Sequence, residues 1–238
     1  MVWVRSERKG CGMTGRDAWN AHGAPRADKD GALAAVAFVG ASLAPFFLND
    51  PRTGEAADSF AAMAELDAEA AAADWPFVDE AAAADALALM REGLAAGADN
   101  ESLVWEYRRL FVGPGHLPAP PWGSVYTDRE CVVFGEATLA LRAWMRRVGV
   151  ARTTDERTPE DHIGLMLALL AYLAEERSEL TDEYLRDHLL TWAPHYLEAL
   201  EAAADHPFYQ GLAALTRATL LGLQEARGLE VTLPRFYC

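Results

Sequence analysis

Apolar residues recur along most of the chain at the spacing of amphipathic helices, and no stretch alternates with the two-residue period of a strand. Proline, glycine and capping residues interrupt this pattern and mark the helix ends. The resulting helices cover residues 32–48, 55–72, 78–97, 101–111, 127–148, 159–176, a helix from 181 that bends at Pro194, and 205–227. The pattern predicts an all-α bundle of about eight to nine helices, one domain over residues 31–238, behind a flexible tail at residues 1–30.

Local signals set two of these helix starts. Thr127 followed by Glu130 has the spacing of a capping box, which predicts a helix start at that threonine. Thr158 before Pro159 predicts a second N-cap, because proline suits the first helical position. The segment HIGLMLALLAYLAEE, residues 162–176, is apolar on nearly every side, so we expect it in the middle of the bundle.

The apolar run at residues 31–50 has two interpretations. It is short and alanine-rich for a membrane span, and Pro45 interrupts it, so it predicts the first core helix and no stable membrane insertion. A cleaved secretory signal is the alternative, although no small-residue cleavage site follows the apolar core.

Charge limits the partners that the chain can attract. The net charge is −15, and residues 1–31 hold six basic and four acidic groups. The remaining 15 basic and 32 acidic groups give a net charge of −17 to the rest of the chain. Such a body repels nucleic acid and anionic membranes and attracts cationic partners, although solubility alone also explains it.

Cysteine usage predicts a reducing compartment. The three cysteines, Cys11, Cys131 and Cys238, are far apart and form no CxxC motif. We therefore expect no disulfide framework and no zinc site, in agreement with a cytoplasmic protein.

The sequence contains no recognisable catalytic, metal-binding or nucleotide-binding motif. The six histidines form no HExxH, no glycine-rich phosphate loop is present, and WGSVY around Ser124 lacks the second glycine of a nucleophile elbow. We therefore predict no cofactor, no metal and no catalytic residue. Asp161 and His162 have two interpretations: an acid and an imidazole that face a groove, or a completed capping box beside a packed imidazole.

The loop LPAPPWGSVYTDRE, residues 117–130, is rigid and aromatic within a helical chain. Its structural interpretation is that prolines stiffen a crossing between helices. Its functional interpretation is a surface for a peptide, because Pro, Trp and Tyr bury apolar area at low entropic cost. In that case Trp122 is the anchor, Pro120 and Pro121 fix its direction, and Gly123 lets the partner approach closely.

Four stretches together resemble one family. YRRLFVGPG at 107–115, PAPPWGSVYTDRECVVFGEATLALRAWMRRVGV at 118–150, PEDHIGLMLALLAYLAEE at 159–176 and HPFYQGLAALTRATLL at 206–221 resemble the TorD/DmsD family of redox enzyme maturation chaperones. The resemblance implies an all-helical cytoplasmic chaperone without a cofactor. It would bind the twin-arginine signal peptide of a molybdopterin-containing, DMSO-reductase-type enzyme and hold it for cofactor insertion before Tat export.

The family's binding groove maps onto residues of this chain. The matching positions are Tyr107, Leu110, Phe111, Gly113, Pro114, Pro121, Trp122, Ser124, Gly135, Asp161 and His162. The chain departs from the family at Gly115, where an aromatic residue is expected, which removes one apolar contact. A bidentate hydrogen bond between Asp161 and an arginine of the leader is a further hypothesis.

The resemblance also suggests partners and leaves alternatives. The Tat translocase and cofactor-insertion proteins are further partners that it suggests, and the chain would be a monomer or a dimer swapped about residues 149–158. One alternative is a chaperone of the same fold for a non-exported molybdoenzyme such as respiratory nitrate reductase. The other is a small hydrolase or nucleotide-binding enzyme that uses Asp161 and His162.

Overall fold

A computed structural model describes residues 3–5, 29–153 and 158–238, and the all-α prediction is confirmed for them. Eleven α-helices lie in these residues: α1 (Lys29–Leu48), α2 (Gly54–Ala64), α3 (Ala68–Asp74), α4 (Glu80–Gly93), α5 (Glu101–Tyr107), α6 (Gly123–Thr127), α7 (Glu136–Val148), α8 (Ile163–Glu176), α9 (Thr181–Tyr184), α10 (Ala193–Ala203) and α11 (Pro207–Ala226). Single π-turns at Arg108–Val112 and Leu185–Leu189 follow α5 and α9, and a 3₁₀ turn, Ser178–Leu180, precedes α9. Two short strands are β1 (Trp3–Arg5) and β2 (Val150–Arg152).

The chain divides into two compact units. Unit 1 comprises Met1–Ala44, Pro121–Trp192 and Glu230–Cys238, and unit 2 comprises Pro45–Pro120 and Ala193–Leu229. Each unit is therefore built from segments that are distant in sequence, and the single domain over residues 31–238 stays a prediction.

Helix α8 forms the centre of unit 1, as its apolar pattern predicted. Eleven of its fourteen residues are buried, from Ile163 to Ala174. Helix α1 lies against it at Gly40, where an added Cβ would lie 2.6 Å from the backbone oxygen of Leu167. Only glycine permits this approach. The part of α1 up to Ala44 is thus a core element of unit 1, with Val36 and Val39 buried.

The strand pair of unit 1 was not foreseen from the sequence. Strand β1 pairs antiparallel with β2, with Trp3 opposite Arg152. Trp3 is buried, and its Nε1–H donates a hydrogen bond to the backbone oxygen of Leu165 at 3.2 Å. Residues 3–5 are thus ordered parts of unit 1 and residues 29–30 begin α1, so the predicted tail is wrong for them, whereas residues 1–2 and 6–28 lie outside the described residues.

Aromatic packing joins the segments of unit 2. The rings of Phe46, Phe60 and Phe208 lie with centroids 5.0–5.3 Å apart, and all three are buried. Helix α11 packs along α4 and α10, and Trp75 Nε1–H donates to Thr219 Oγ1 at 3.0 Å. This contact satisfies a buried indole donor, as an apolar core requires.

Both capping predictions were wrong. Thr127 ends α6, and its hydroxyl donates to the backbone oxygen of Gly123 at 3.1 Å, while the next helix begins only at Glu136. Thr158 is not the N-cap of α8, because that helix begins at Ile163 with His162 as its cap. In both cases a turn lies between the threonine and the next helix, and the sequence pattern did not distinguish that turn from the first turn of the helix.

Two further predictions require correction. The helix expected at residues 55–72 is broken into α2 and α3, because Asp67 caps a new start by accepting a hydrogen bond from the Ala70 amide at 3.2 Å.

Contrary to the cysteine prediction, a disulfide bond joins Cys131 and Cys238, whose Cα atoms lie 6.3 Å apart. A sequence separation of 107 residues gave no indication of this pair.

Helix α1 also meets the length and composition of a membrane span. Residues Gly31–Leu48 are long and apolar enough to cross a bilayer, and half of that stretch is buried inside the protein. The buried half includes Val36, Val39 and Leu43. These contacts support the interpretation of α1 as a core helix.

Candidate functional site

Two sequence-distant segments lie side by side in unit 1. The Gly123 amide donates to the backbone oxygen of Asp161 at 3.1 Å, and the Ile163 amide donates to that of Pro121 at 2.9 Å. This antiparallel bridge brings Trp122 opposite His162, with ring centroids 5.7 Å apart and an interplanar angle of 74°. The structure thus joins the aromatic loop to the Asp161–His162 pair.

Asp161 links three segments of unit 1 through side-chain hydrogen bonds. Its side chain is buried, Oδ2 accepts a hydrogen bond from the Ser124 amide at 2.8 Å, and Oδ1 accepts one from Thr138 Oγ1 at 2.8 Å. The carboxylate therefore holds the start of α6 and the first turn of α7 against the segment before α8. Because the side chain is only 1% exposed, an arginine of a peptide could reach these oxygens only if the residues around them moved.

His162 caps α8. Its Nδ1 accepts a hydrogen bond from the Gly164 amide at 3.2 Å, which leaves the proton of the neutral ring on Nε2. Burial, with a smaller contribution from the positive charge of Arg152, lowers the pKa of His162 to about 3. The imidazole is therefore neutral at physiological pH and acts as a hydrogen-bond acceptor at the helix start.

His162 makes the stability of the protein depend on pH. Its pKa in the folded state, about 3, lies below the ordinary value of 6.5, so the unfolded chain binds the proton first. The stability from the neutral ring is complete above pH 6.5 and is lost as the pH falls towards 3, at about 1.4 kcal/mol per pH unit. From pH 7 to pH 5 we expect a loss of about 2 kcal/mol from this group, measured by urea unfolding at each pH.

The matched variant for that prediction is His162→Asn. Asparagine caps helices well and places Oδ1 where Nδ1 accepts from the Gly164 amide, but it does not titrate. The other histidines are common to both proteins, so the difference between the two pH profiles isolates His162. Parallel profiles would contradict the assignment of a buried neutral imidazole.

Gly123 lies against a tryptophan of unit 1. An added Cβ would lie 2.6 Å from Cε2 and Nε1 of Trp192, a ring that is almost fully buried. Trp192 in turn stacks on Tyr126, with ring centroids 6.3 Å apart and an interplanar angle of 12°. The space on the Cβ side of Gly123 is thus filled by the protein's own tryptophan, and close approach of a partner at this glycine stays a prediction.

The other predicted residues of unit 1 lie on or beside this cluster. Pro121 and Ser124 are buried, and Gly135 is the buried N-cap of α7. The Asp128 side chain occupies the space beside Gly135 and accepts hydrogen bonds from the amides of Glu130 and Glu136 at 3.0 and 3.4 Å. Among the described residues, Trp122 Nε1 and Ser124 Oγ are buried donors without a partner.

The remaining predicted residues belong to unit 2. Tyr107, Leu110 and Phe111 are buried in α5 and the π-turn that follows it, and the Tyr107 and Phe111 rings lie 5.2 Å apart. Gly113 has a φ of 91°, which favours glycine, and Pro114 after it is exposed. The structure therefore brings six predicted residues together in unit 1 and places the other five in unit 2.

Sequence reasoning missed two residues of the unit 1 cluster, Thr138 and Trp192. Thr138 lies on the buried face of α7 with Leu141 and Met145, at positions i, i+3 and i+7. A hydroxyl on an apolar helix face signals a buried hydrogen-bond partner, so this residue could have been found. Nothing in the local sequence indicated that Trp192 would fill the space beside Gly123.

One serine–histidine contact lies in unit 2, outside the predicted site. Ser102 Oγ lies 3.3 Å from His206 Nε2, and His206 Nδ1 accepts a hydrogen bond from the Phe208 amide at 3.3 Å. The proton of the neutral ring is then on Nε2, where it is donated towards the serine, so this imidazole is not a base for Ser102. The described residues contain no group of three or more His, Cys, Asp or Glu residues that could hold a metal ion.

Comparison with known proteins places the chain in a family. The family model described as "Nitrate reductase delta subunit" matches residues 64–198, a range that includes Trp122, Asp161 and His162. A protein of Haemophilus influenzae named "Probable Tat proofreading chaperone DmsD" is 48% identical over 150 residues, 63% of this chain and 71% of that protein. The "Tat proofreading chaperone DmsD" of Salmonella typhi is 41% identical over 179 residues, 75% of this chain and 83% of that protein.

A more distant relative extends the same group. The "Chaperone protein TorD" of Vibrio cholerae (strain ATCC 39315) is 28% identical over 128 residues, 49% of this chain and 58% of that protein. The family model covers more than half of the chain, and the two DmsD proteins exceed 40% identity. The chain therefore belongs to the TorD/DmsD family of redox enzyme maturation chaperones, as its sequence motifs predicted.

Proposed function

We propose that this chain is a cytoplasmic chaperone and not an enzyme. It binds the twin-arginine signal peptide of a molybdopterin-containing oxidoreductase of the DMSO-reductase type, and it holds the precursor for cofactor insertion before Tat export. The observation that carries the proposal is the high identity to two proteins named Tat proofreading chaperones. The matched range includes the bridge between Trp122 and His162.

The proposed peptide-binding residues are those that the family resemblance indicated. They are Tyr107, Leu110, Phe111, Gly113, Pro114, Pro121, Trp122, Ser124, Gly135, Asp161 and His162. Rigid aromatic and proline side chains among them suit the apolar segment of a leader. Each leucine-sized side chain that becomes buried contributes about 1.5–3 kcal/mol, so a few such contacts support micromolar to nanomolar binding.

Asp161 is a positioning residue in this proposal. Its two oxygens already accept hydrogen bonds from Ser124 and Thr138, so it fixes α6 beside Trp122. The attraction of a basic leader then comes from the overall net charge of −15, which acts at long range. Leader binding should accordingly weaken as salt concentration rises.

The partners beyond the leader are the Tat translocase and proteins that insert the cofactor. A second candidate function is the maturation of a non-exported molybdoenzyme, which the name of the matching family model favours. The two functions differ in one testable property, since a non-exported client has no twin-arginine motif.

Titration of the chain with synthetic leader peptides by calorimetry tests the proposal. A twin-arginine leader should saturate the chain with a Kd of about 1 μM or lower. The same leader with Arg-Arg changed to Lys-Lys should bind at least about tenfold more weakly, because lysine keeps the charge but loses the planar guanidinium.

Variants of the chain give the site-specific part of the test. Trp122→Ala should weaken leader binding by about tenfold or more, since the indole is the proposed anchor. Leu221→Ala is the matched control, because Leu221 lies on α11, is 44% exposed and is outside the proposed residues.

If no twin-arginine leader saturates the folded chain at low salt, the proposal fails. Equal binding of the Lys-Lys leader would favour the second candidate.

A further inference from the structure

A disulfide and a backbone hydrogen bond attach the C-terminal segment of the chain, residues 230–238, to the rest of unit 1. A disulfide joins Cys238 to Cys131 in the loop before α7. One residue earlier, the Tyr237 amide donates a hydrogen bond to the backbone oxygen of Tyr126 at 3.0 Å. The segment has neither helical nor strand structure, so these attachments fix its end.

The hydrogen bond connects the segment to the candidate site. Tyr126 belongs to α6, a helix of five residues that also contains Ser124. The Asp161 carboxylate holds α6 at the Ser124 amide, and the C-terminal segment holds it at the Tyr126 oxygen. A helix this short has little stability of its own, so its position depends on such contacts.

The disulfide is open to exchange with external thiols. Cys238 is exposed and Cys131 is half-buried, so a thiolate can reach the bond from solvent. In a reducing cytoplasm, disulfides of this kind are usually transient and redox-sensing, whereas structural ones belong to secreted proteins. Because the proposed function is cytoplasmic, we expect this bond to form and break reversibly, unlike a permanent crosslink.

We propose that Cys131 and Cys238 form a reversible thiol–disulfide switch that clamps the C-terminal segment onto α6 and so sets the affinity of the candidate site for a leader. The clamped form binds the leader more tightly, because α6 is held in place before binding. The open form loses the covalent attachment, and the Tyr237–Tyr126 hydrogen bond then forms only part of the time. The effect on the leader and the reversibility of the bond in a cytoplasm rest on the proposed function, whereas the attachment of the segment to α6 does not.

A dithiol reductant opens the switch by ordinary exchange. Its thiolate attacks the Cys238 sulfur, the sulfur–sulfur bond breaks, and the Cys131 thiolate leaves and takes a proton. The second thiol of the reductant then attacks the mixed disulfide, releases Cys238 as a thiol and leaves the reductant as a disulfide. The two cysteines gain two electrons and two protons in total, and oxidised glutathione supplies the reverse reaction.

The test compares closed and open forms of the same protein. Cys11→Ser, in a part of the chain outside the described residues, removes the third thiol from every sample. One sample is oxidised with oxidised glutathione, one is reduced with dithiothreitol, and one carries Cys238→Ser as a permanently open form. Alkylation followed by intact mass counts the free thiols in each sample.

Hydrogen exchange measures the clamp without any peptide. In the two attached segments, the amides of residues 124–127 and the Tyr237 amide should exchange at least about tenfold faster in the reduced and Cys238→Ser samples than in the oxidised one. Amides of α8 serve as the internal reference. The switch is overturned if oxidised glutathione does not close the bond, or if these two segments exchange equally fast in both forms.

A leader titration then tests the effect on the site. We expect a Kd about threefold to tenfold lower for the oxidised sample than for the reduced and Cys238→Ser samples. Equal affinity with altered exchange would overturn the coupling to the site. If exchange responds as expected but no leader binds to any sample, the clamp is supported and the proposed function fails.

Discussion

Asp161→Ala is expected to lower the free energy of unfolding by about 4 kcal/mol. The substitution leaves the Ser124 amide and the Thr138 hydroxyl buried without their acceptor, and each such loss costs about 1–3 kcal/mol. It also leaves a cavity, because the side chain is only 1% exposed. Urea unfolding followed by far-ultraviolet circular dichroism measures the change.

Asp161→Asn is the matched control for this prediction. The asparagine oxygen can accept from the Ser124 amide while its NH₂ group donates to the Thr138 hydroxyl, which both donates and accepts. We expect this variant to lose only about 1 kcal/mol, since it keeps the shape and both hydrogen bonds. An equal loss in the two variants would show that the negative charge, and not the hydrogen-bond arrangement, stabilises this region.

The same pair of variants separates two roles in leader binding. If Asp161 only positions α6, Asp161→Asn should keep its leader affinity within about threefold, and the salt dependence should be unchanged. If Asp161 instead pairs with a leader arginine, Asp161→Asn should bind more weakly and with less salt dependence. The burial of the carboxylate, which is only 1% exposed, favours the first result.

Periodicity predicted the central helices because burial on all sides leaves an unmistakable pattern. The apolar run after Thr158 became α8, the core of unit 1, and Gly149 ends α7 with a φ of 70°, as its position predicted. The start of α11 followed from Pro207, and His206 caps it. These features depend on residues that are close together in sequence.

The missed features depend on contacts between distant residues. Nothing near Trp3 indicated pairing with Arg152, and the spacing of Cys131 and Cys238 carried no signal of a bond. The candidate site shows the same difference between features that depend on residues close in sequence and features that depend on distant ones. Family resemblance indicated Trp122, Asp161 and His162, but only the structure shows that a backbone bridge holds Trp122 beside His162.

Gly123→Ala is the second large effect, with an expected loss of about 3 kcal/mol of unfolding free energy. The new methyl group would lie 2.6 Å from the Trp192 ring, and that ring is almost fully buried and stacks on Tyr126. The backbone cannot retreat easily, because the Gly123 amide is bonded to the Asp161 oxygen. Gly135→Ala would meet the Asp128 carboxylate at 2.7 Å and displace its hydrogen bonds to the Glu130 and Glu136 amides, so it should lose only about 1–2 kcal/mol in the same urea experiment.

A double mutant tests whether Gly123 is needed to accommodate Trp192 or to admit the peptide. Trp192→Val removes the ring atoms Cδ2, Cε2 and Nε1 that the methyl group meets, so Gly123→Ala should cost about 1–2 kcal/mol less in that background. Because the clash is internal, the double mutant should also regain most of the leader affinity that Gly123→Ala loses. If the two stability losses simply add, the contact with Trp192 is not the cause. If stability recovers but leader binding does not, the glycine instead admits the peptide itself, as the sequence had first indicated.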